Sequence, residues 1–206
     1  MVSGYIENKI NSASRDTLFF NRDFINFGAR SAIDMCLSRM VVKGFLKRLC
    51  NGVYVRHDCK KEFTATELGE AKAKRFDRVV AVHPIDTARK LKFTERGLIG
   101  KTFHAQGRTS SFRSSEGRIF YHATSTRRVA LKHLKTGDKI NALWWLKRGV
   151  ATEDHVIDVL RKLKRSEKEE FLWSHDLMPG WLSDLVHSAC DWKIIFPLKK
   201  RKGRAQ

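Results

Sequence analysis

Two serine hydroxyls and a guanidinium lie on one side of a helix that the sequence predicts for residues 31–43. On a helical wheel of about 100° per residue, one face is apolar and consists of Ile33, Leu37 and Met40. The opposite face carries Ser31, Met35, Ser38 and Arg39. Serine and arginine side chains hydrogen-bond the base edges in the major groove of DNA, and Arg30 sits at the helix start, where phosphate is favoured. We therefore predict that Arg30 and this polar face contact duplex DNA.

A basic segment follows this helix directly. The sequences FLKRL and VYVR alternate as strands and are joined by an asparagine-glycine turn, which predicts a two-stranded ribbon. Lys47, Arg48 and Arg56 place positive charge along the ribbon, where phosphates are the expected partners. Asn51 at the tip is expected to contact a phosphate or the minor groove.

Helices predicted over residues 3–15, 22–27 and 31–43, followed by the ribbon, have the order of a winged helix-turn-helix. We therefore predict such a DNA-binding domain in residues 1–60. Two alternatives stay open from the residues alone: the polar helix face is only solvated and the basic ribbon aids solubility, or the domain docks another protein.

The charge balance of the whole chain favours a polyanionic partner. Lys and Arg number 41 against 22 Asp and Glu, which gives a net charge of +19 and a pI of about 10.1. Residues 1–60 carry 10 basic against 5 acidic side chains, and the remaining residues carry 31 against 17. Most of the excess charge is thus expected outside the ribbon domain.

Residues 61–198 are predicted to form a mixed α/β domain, so the fold class is α+β with a helical C-terminal part. A capping box at Thr64 and Glu67 begins a helix, and the segments RVVAV, KTFHAQG, TSSFRS and RIFYHATS favour strands. Helical spacing then continues from Thr126 to PGWLSDLV. Residues 199–206 form a basic tail, expected to be flexible and either to touch phosphates non-specifically or to aid solubility.

A second basic patch is predicted where the helical spacing begins. Arg127, Arg128 and Lys132 fall on one side of a helix, and we expect them to touch DNA beside the ribbon domain or an acidic partner surface. The adjacent Trp144 and Trp145 cannot both be buried on one helical face, so one of them is expected to contact a partner or second subunit.

The sequence predicts no enzyme and no cofactor. His155 and Asp158 have the spacing of an acid-base pair, but a capped amphipathic helix explains them more simply. His104 and His122 lie on neighbouring predicted strands and could face each other, although half-buried imidazoles are the simpler account.

Neither a metal site nor a membrane segment is expected. Four cysteines, Cys36, Cys50, Cys59 and Cys190, form no CxxC pair, so reduced thiols are expected and metal is not. No apolar run is long enough to cross a membrane and the N-terminus lacks a signal-peptide core, which favours a cytoplasmic protein.

The segment TLFFNRDFINFGARSAIDMCLSRMVVKGFLKRLCNGVYV resembles the N-terminal winged-helix domain of the AbiEi family. AbiEi proteins are antitoxins of type IV toxin-antitoxin systems that repress their own operons. Further along the chain, RSSEGRIFYHATSTRR and MPGWLSDLV are similar to the family's hairpin and closing helix. The resemblance implies DNA contacts from Ser31, Ser38, Arg39, Arg48 and Asn51, and a C-terminal domain that opposes a toxin and promotes cooperative operator binding.

These observations together predict a DNA-binding transcriptional autorepressor that acts as the antitoxin of such a system. Its expected partners are double-stranded DNA at inverted repeats of its own promoter, a nucleotidyltransferase-like toxin and a second copy of the chain. The alternative is a stand-alone winged-helix transcription factor or nucleoid-type DNA binder without a toxin, and a DNA-processing enzyme comes third.

Overall fold

The computed structural model describes residues 2–98 and 100–190. The predicted basic tail, residues 199–206, lies outside the described residues. The protein is α+β, as predicted. The helices are α1 (Val2–Ser12), α2 (Arg30–Val42), α3 (Ala65–Arg75), α4 (Ile85–Lys90), α5 (Thr126–Ala130), α6 (Gly137–Leu146), α7 (Glu153–Lys162), α8 (Arg165–Trp173) and α9 (Gly180–Ala189). The strands are β1 (Phe19–Phe20), β2 (Leu46–Cys50), β3 (Val53–Arg56), β4 (Val80–Val82), β5 (Lys101–Ala105), β6 (Ser110–Ser114) and β7 (Gly117–Ala123). Short 3-10 helices cover Asn21–Phe27, Leu131–His133 and Ser174–Leu177.

The chain divides into two compact units, and the division differs from the predicted boundary at residue 60. The first unit comprises Met1–Val80 and Gly100–Ala123, and the second comprises Ala81–Ile99 and Thr124–Gln206. Helix α3 and the strands β5 to β7 therefore belong with the N-terminal helices. The reason lies in long-range pairing, because Cys50 of the ribbon pairs with Ser114 of β6.

The first of two cores in the first unit lies between its N-terminal helices and the ribbon. Apolar side chains from α1, the first 3-10 helix and α2 meet one face of the ribbon there, and the largest buried members are Ile6, Ile10, Phe24, Ile33, Leu37 and Leu46. Tyr54 of β3 completes this core from the ribbon side. The predicted order of helix followed by ribbon is present, with α2 beginning at Arg30.

A second core of the first unit lies on the other face of the ribbon. It contains Val53 and Val55 of β3, Leu68 of α3 and Phe103 of β5. Helix α3 approaches the sheet closely at Gly69, where an added Cβ would lie 2.3 Å from a ring carbon of Phe103. The predicted capping box of α3 is confirmed, since Glu67 N donates to Thr64 Oγ1 at 3.2 Å and Thr64 N donates to a Glu67 carboxylate oxygen at 2.9 Å.

The strands of the first unit form one continuous sheet in the order β1-β3-β2-β6-β7-β5. The ribbon strands β2 and β3 are antiparallel, and so are β6 and β7, whose predicted hairpin is confirmed. Strand β5 is parallel to β7, and this register places His104 directly beside His122, on the neighbouring strands where they were expected. His104 is buried and His122 is exposed.

The second unit is helical around its own core. Buried apolar residues from α4, α6, α7, α8 and α9 form this core, among them Ile140, Leu143, Val156, Phe171 and Leu182. Trp144 and Trp145 of α6 are both half-buried against it, so neither is fully buried, and the expected contact of one of them with a partner stays a prediction. Trp173 at the end of α8 is 78% exposed.

No helix among the described residues is long and apolar enough to span a membrane. Within the same residues, no group of three or more His, Cys, Asp or Glu side chains is placed to hold a metal ion. The four cysteines are free thiols, and burial raises the pKa of Cys50, Cys59 and Cys190.

Candidate nucleic-acid interface

The outer face of α2 is exposed along its length, as the helical wheel predicts. Ile33, Leu37 and Met40 are buried at 4% exposure or less. Ser31, Met35, Ser38 and Arg39 are all exposed on the opposite face. The apolar face of the helix thus packs on the core, and the four predicted contact residues remain accessible to solvent.

Arg39 carries a charge that no carboxylate of the described residues neutralises by an ion pair. Its Nη2 contacts Met35 Sδ, one helical turn earlier, at 3.2 Å. A thioether is a weak acceptor, so it orients the guanidinium without satisfying its five donors. Arg39 is therefore both positioned and available for an anionic or carbonyl partner.

Arg30, by contrast, is already paired at the start of α2. Its Nε donates to both carboxylate oxygens of Asp34, at 3.0 and 3.1 Å, and Asn21 Nδ2 donates to Asp34 as well. The negative charge of Asp34 also acts on Tyr54 of the ribbon, where it adds to the upward shift that burial causes in the pKa of the hydroxyl. This arrangement neutralises much of the charge that Arg30 was predicted to offer a phosphate.

Arg48 and Asn51 form a linked pair at the ribbon tip. Arg48 Nη2 donates to Asn51 Oδ1 at 2.7 Å, and both side chains are exposed. Arg48 shares its ribbon face with Tyr54, its register partner, which puts it on the same side of the sheet as α2. Burial raises the pKa of the Tyr54 hydroxyl, while the positive charge of Arg48 opposes that shift.

The tip is also held from α3 by Lys72, a residue that the sequence analysis missed. Lys72 Nζ donates to the carbonyl oxygen of Asn51 at 2.9 Å and lies 4.0 Å from the centre of the Phe112 ring. Burial lowers the pKa of this ammonium. Only a long-range contact reveals this role, since Lys72 and Asn51 belong to different elements and no local pattern connects them.

Lys47 lies on the opposite face of the ribbon from Arg48. Its register partner is Val55, a residue of the second core, and its Nζ donates to the carbonyl oxygen of Cys59 at 3.4 Å. Successive strand residues point to opposite faces, so Lys47 and Arg48 cannot contact the same surface. The structure therefore places Lys47 on the ribbon face opposite to Arg48 and α2, and its predicted phosphate contact stays a prediction.

Arg56 is neutralised at the far end of the ribbon. Its Nε and Nη2 donate to the two carboxylate oxygens of Asp58, both at 3.0 Å, and Arg15 Nε lies 3.4 Å from the same carboxylate. Hydrogen bonds from Arg56 lower the pKa of Asp58. A bidentate pair of this kind uses the donors that would otherwise bind phosphate.

The predicted patch of Arg127, Arg128 and Lys132 has one member that is not freely exposed. Arg128 is half-buried in the second unit, where its Nε donates to Asn141 Oδ1 at 2.6 Å. Burial lowers the pKa of this guanidinium to about 10, so it keeps its charge at neutral pH. Arg127 and Lys132 are exposed. Arg128 therefore supports the fold, and the patch loses its central member.

The candidate acid-base pair in α7 is not formed. Thr152 N donates to His155 Nδ1 at 3.1 Å, so this imidazole caps the helix, as the simpler account expected. Asp158 instead lies 3.6 Å from Arg161. His155 also packs edge-on against Phe93, with ring centres 4.8 Å apart.

A family model described as a family of unknown function, DUF6088, matches residues 5–171. The match covers more than half of the chain, so the protein belongs to this family. No curated protein matches the chain.

Proposed function

We propose that this DUF6088 protein is a transcriptional repressor that binds duplex DNA through α2 and the tip of the β2–β3 ribbon. One observation carries the proposal: the exposed face of α2 presents Ser31, Ser38 and Arg39, and Arg48 and Asn51 lie on the same side of the sheet as this helix. Hydroxyl and guanidinium donors on the helix suit base edges, and the cationic tip suits the phosphate backbone.

The dimensions of α2 suit a major groove. A helix of 13 residues is about 20 Å long, and a groove about 12 Å wide admits one helix. Under this proposal the first unit acts as a winged helix-turn-helix, α2 is the recognition helix and the ribbon is the wing. Met35 on the same face would then pack on a thymine methyl group.

The wing in this proposal is braced and does not extend freely. Lys72 holds the turn through the Asn51 carbonyl, and Cys50 pairs with Ser114. Such a tip enters a complex with little conformational freedom to lose, which favours affinity.

We extend the proposal to the antitoxin role on the resemblance to AbiEi proteins described above. The protein would repress its own promoter by binding inverted repeats as a homodimer, and would oppose a nucleotidyltransferase-like toxin in the cytoplasm. The excess of positive charge over the whole chain supports a polyanionic partner but does not separate this role from that of a stand-alone regulator.

Footprinting on the upstream region of the gene tests the DNA-binding proposal. The wild-type protein is expected to protect a defined site, and Arg39→Ala is expected to lose that protection while retaining salt-dependent bulk binding. Arg161→Ala is the matched control, because Arg161 is an exposed arginine on a helix of the second unit. An unchanged footprint for Arg39→Ala would remove α2 from the site.

The main competing function is a nucleoid-type DNA binder without sequence preference. Its prediction is uniform protection of the probe and equal loss of affinity for every sequence when Arg39 is replaced. A toxin gene beside this gene would favour the antitoxin role over a stand-alone repressor.

A further inference from the structure

Two arginines face each other across the β6–β7 hairpin of the first unit. Arg113 and Arg118 are register partners in this antiparallel pair, and both are exposed. Residues directly opposite each other in such a pair have Cβ atoms about 4.5–5.5 Å apart, so two like charges here repel. No carboxylate among residues 2–98 and 100–190 forms an ion pair with either guanidinium.

The two arginines lie on the sheet face that turns away from the second core. Their neighbours Phe112 and Ile119 point into that core, and alternation places Arg113 and Arg118 on the other side. The hairpin turn itself is fixed, because Ala65 N donates to a carboxylate oxygen of Glu116 at 2.7 Å. The arginine pair therefore lies next to a turn that is tied to the start of α3.

The same sheet face continues into the ribbon tip. Cys50 and Ser114 are paired and both point towards the second core, so Arg113, the residue before Ser114, lies on the face that carries Arg48. Neighbouring strands are about 4.8 Å apart, and the strand order is β2-β6-β7. Arg113 thus lies beside Asn51 at the ribbon tip, whose side-chain amide Arg48 contacts, and Arg118 lies one strand further, so the row from the tip to Arg118 covers about 10 Å across the sheet.

This row of cations contrasts with the arginines that the fold neutralises. Arg30 pairs with Asp34 and Arg56 with Asp58, whereas Arg48 donates a hydrogen bond to the neutral amide of Asn51. A DNA strand carries one negative charge per 3.4 Å of helix rise, so a row of this length matches two or three consecutive phosphates.

We propose that Arg113 and Arg118 bind the phosphate backbone of the duplex beyond the ribbon tip. This inference rests on the proposed function, because it places the DNA against the face shared by α2 and Arg48. The occupant is a DNA backbone, since its repeated charges complement two opposed guanidinium groups, each of which offers a bidentate fork to phosphate. Binding removes the repulsion that the free protein retains.

A salt titration of binding tests this role. We expect the double variant Arg113→Gln/Arg118→Gln to bind the upstream duplex on the order of tenfold more weakly at about 0.1 M salt. The slope of log affinity against log salt should fall by about 1.8, which is about 0.9 for each lost phosphate contact. Sequence preference, measured against a scrambled duplex, should be unchanged. Fluorescence anisotropy of a labelled duplex gives all three quantities.

Two comparison variants make the result specific. Arg113→Lys/Arg118→Lys keeps both charges and should retain most of the slope, and Arg161→Gln/Arg165→Gln removes two exposed charges from the second unit and should leave the slope unchanged. The glutamine variant should also melt no lower than the wild type, because it relieves a like-charge contact. A slope equal to that of the wild type in a folded glutamine variant would overturn the proposal.

Further outcomes separate this inference from the proposed function. If Arg39→Ala leaves the footprint unchanged while the hairpin variant lowers the slope, the proposed recognition by α2 fails and the phosphate site stands. If Arg39→Ala abolishes the footprint while the hairpin variant keeps the wild-type slope, only the hairpin site fails. If the variant Arg113→Gln/Arg118→Gln bound single-stranded RNA more weakly than the wild type but bound duplex DNA equally well, the arginine pair would be assigned to RNA and the proposal would be overturned.

Discussion

Lys72 Nζ donates a hydrogen bond to the carbonyl oxygen of Asn51 at 2.9 Å, which joins α3 to the turn of the ribbon. The same ammonium lies over the Phe112 ring of β6, so the Lys72 side chain connects α3 both to the ribbon turn and to the β6–β7 hairpin. The proposed DNA-binding surface thus depends on a residue that does not itself belong to it.

Replacing Lys72 by methionine should loosen the ribbon tip while preserving most of the apolar packing. We expect a loss of about 1 kcal/mol in the free energy of unfolding, the usual net value of one hydrogen bond. Amide exchange of the Asn51–Val53 turn, measured by mass spectrometry, should accelerate. Lys74→Met is the control, because Lys74 is exposed on the same helix. Equal exchange rates in the two variants would contradict the bracing role.

Replacing Asp34 by asparagine should strengthen DNA binding. The change removes a negative charge beside the proposed interface and releases Arg30 from its carboxylate partner. We expect the salt slope of binding to steepen by about 0.9, as for one added phosphate contact, and the affinity to rise a few-fold at about 0.1 M salt. Anisotropy titrations measure the slope and the affinity. Glu169→Gln is the control, because Glu169 forms an ion pair with Arg165 in the second unit. A weaker complex would show that Asp34 supports the interface.

Glu67 should make the stability of the first unit depend on pH. Hydrogen bonds from Lys61 and from Thr64 lower the pKa of its carboxyl from 4.5 to about 2. A lowered folded-state pKa stabilises the folded protein above the unfolded-state pKa, and this contribution is lost as the pH falls through the folded-state value. We expect the stability difference between wild type and Glu67→Gln to be largest near neutral pH and to shrink between about pH 4.5 and about pH 2.

Urea midpoints measured across this pH range test the Glu67 prediction. Glu70→Gln serves as the control, since Glu70 is exposed on the same helix. A difference between wild type and Glu67→Gln that stayed constant from neutral pH to about pH 2 would show that the carboxylate charge of Glu67 contributes nothing.

Arg128→Met should destabilise the second unit without changing DNA binding. The substitution leaves the buried Oδ1 of Asn141 without the donor that now lies at 2.6 Å, and an unsatisfied buried acceptor costs about 1–3 kcal/mol. Thermal unfolding followed by tryptophan fluorescence should show the loss, because Arg128 lies 5.1 Å from the Trp144 ring. Arg127→Met at the exposed neighbouring position should have a much smaller effect. If Arg128→Met were as stable as the wild type, Arg128 would not stabilise the fold and would again be a candidate for partner binding.

Local patterns were sufficient to predict the elements of the first unit and the orientation of α2. The spacing of Ile33, Leu37 and Met40 fixes which helix face is buried, and the Asn51-Gly52 turn fixes the ribbon. Alternation within β2 could also have separated Lys47 from Arg48, because neighbouring strand residues point to opposite faces.

Contacts between distant segments could not be predicted from local patterns. The pairing of Cys50 with Ser114 and of β5 with β7 depends on how separate elements meet, which no periodicity encodes. The neutralisation of Arg56 by Asp58 and the burial of Arg128 became evident only with side-chain positions. Composition counts all cations alike, so it cannot distinguish a paired guanidinium from an available one.

The first unit is built from two separate segments of the chain, which affects how fragments of it behave and when it can fold during translation. Strands β5 to β7 return to it after residues of the second unit have intervened. A fragment that stops at residue 60 would expose Val53 and Val55, which those later strands help to cover. During translation the unit can close only after Ala123 has left the ribosome, so a nascent chain carries an uncovered apolar sheet face until then.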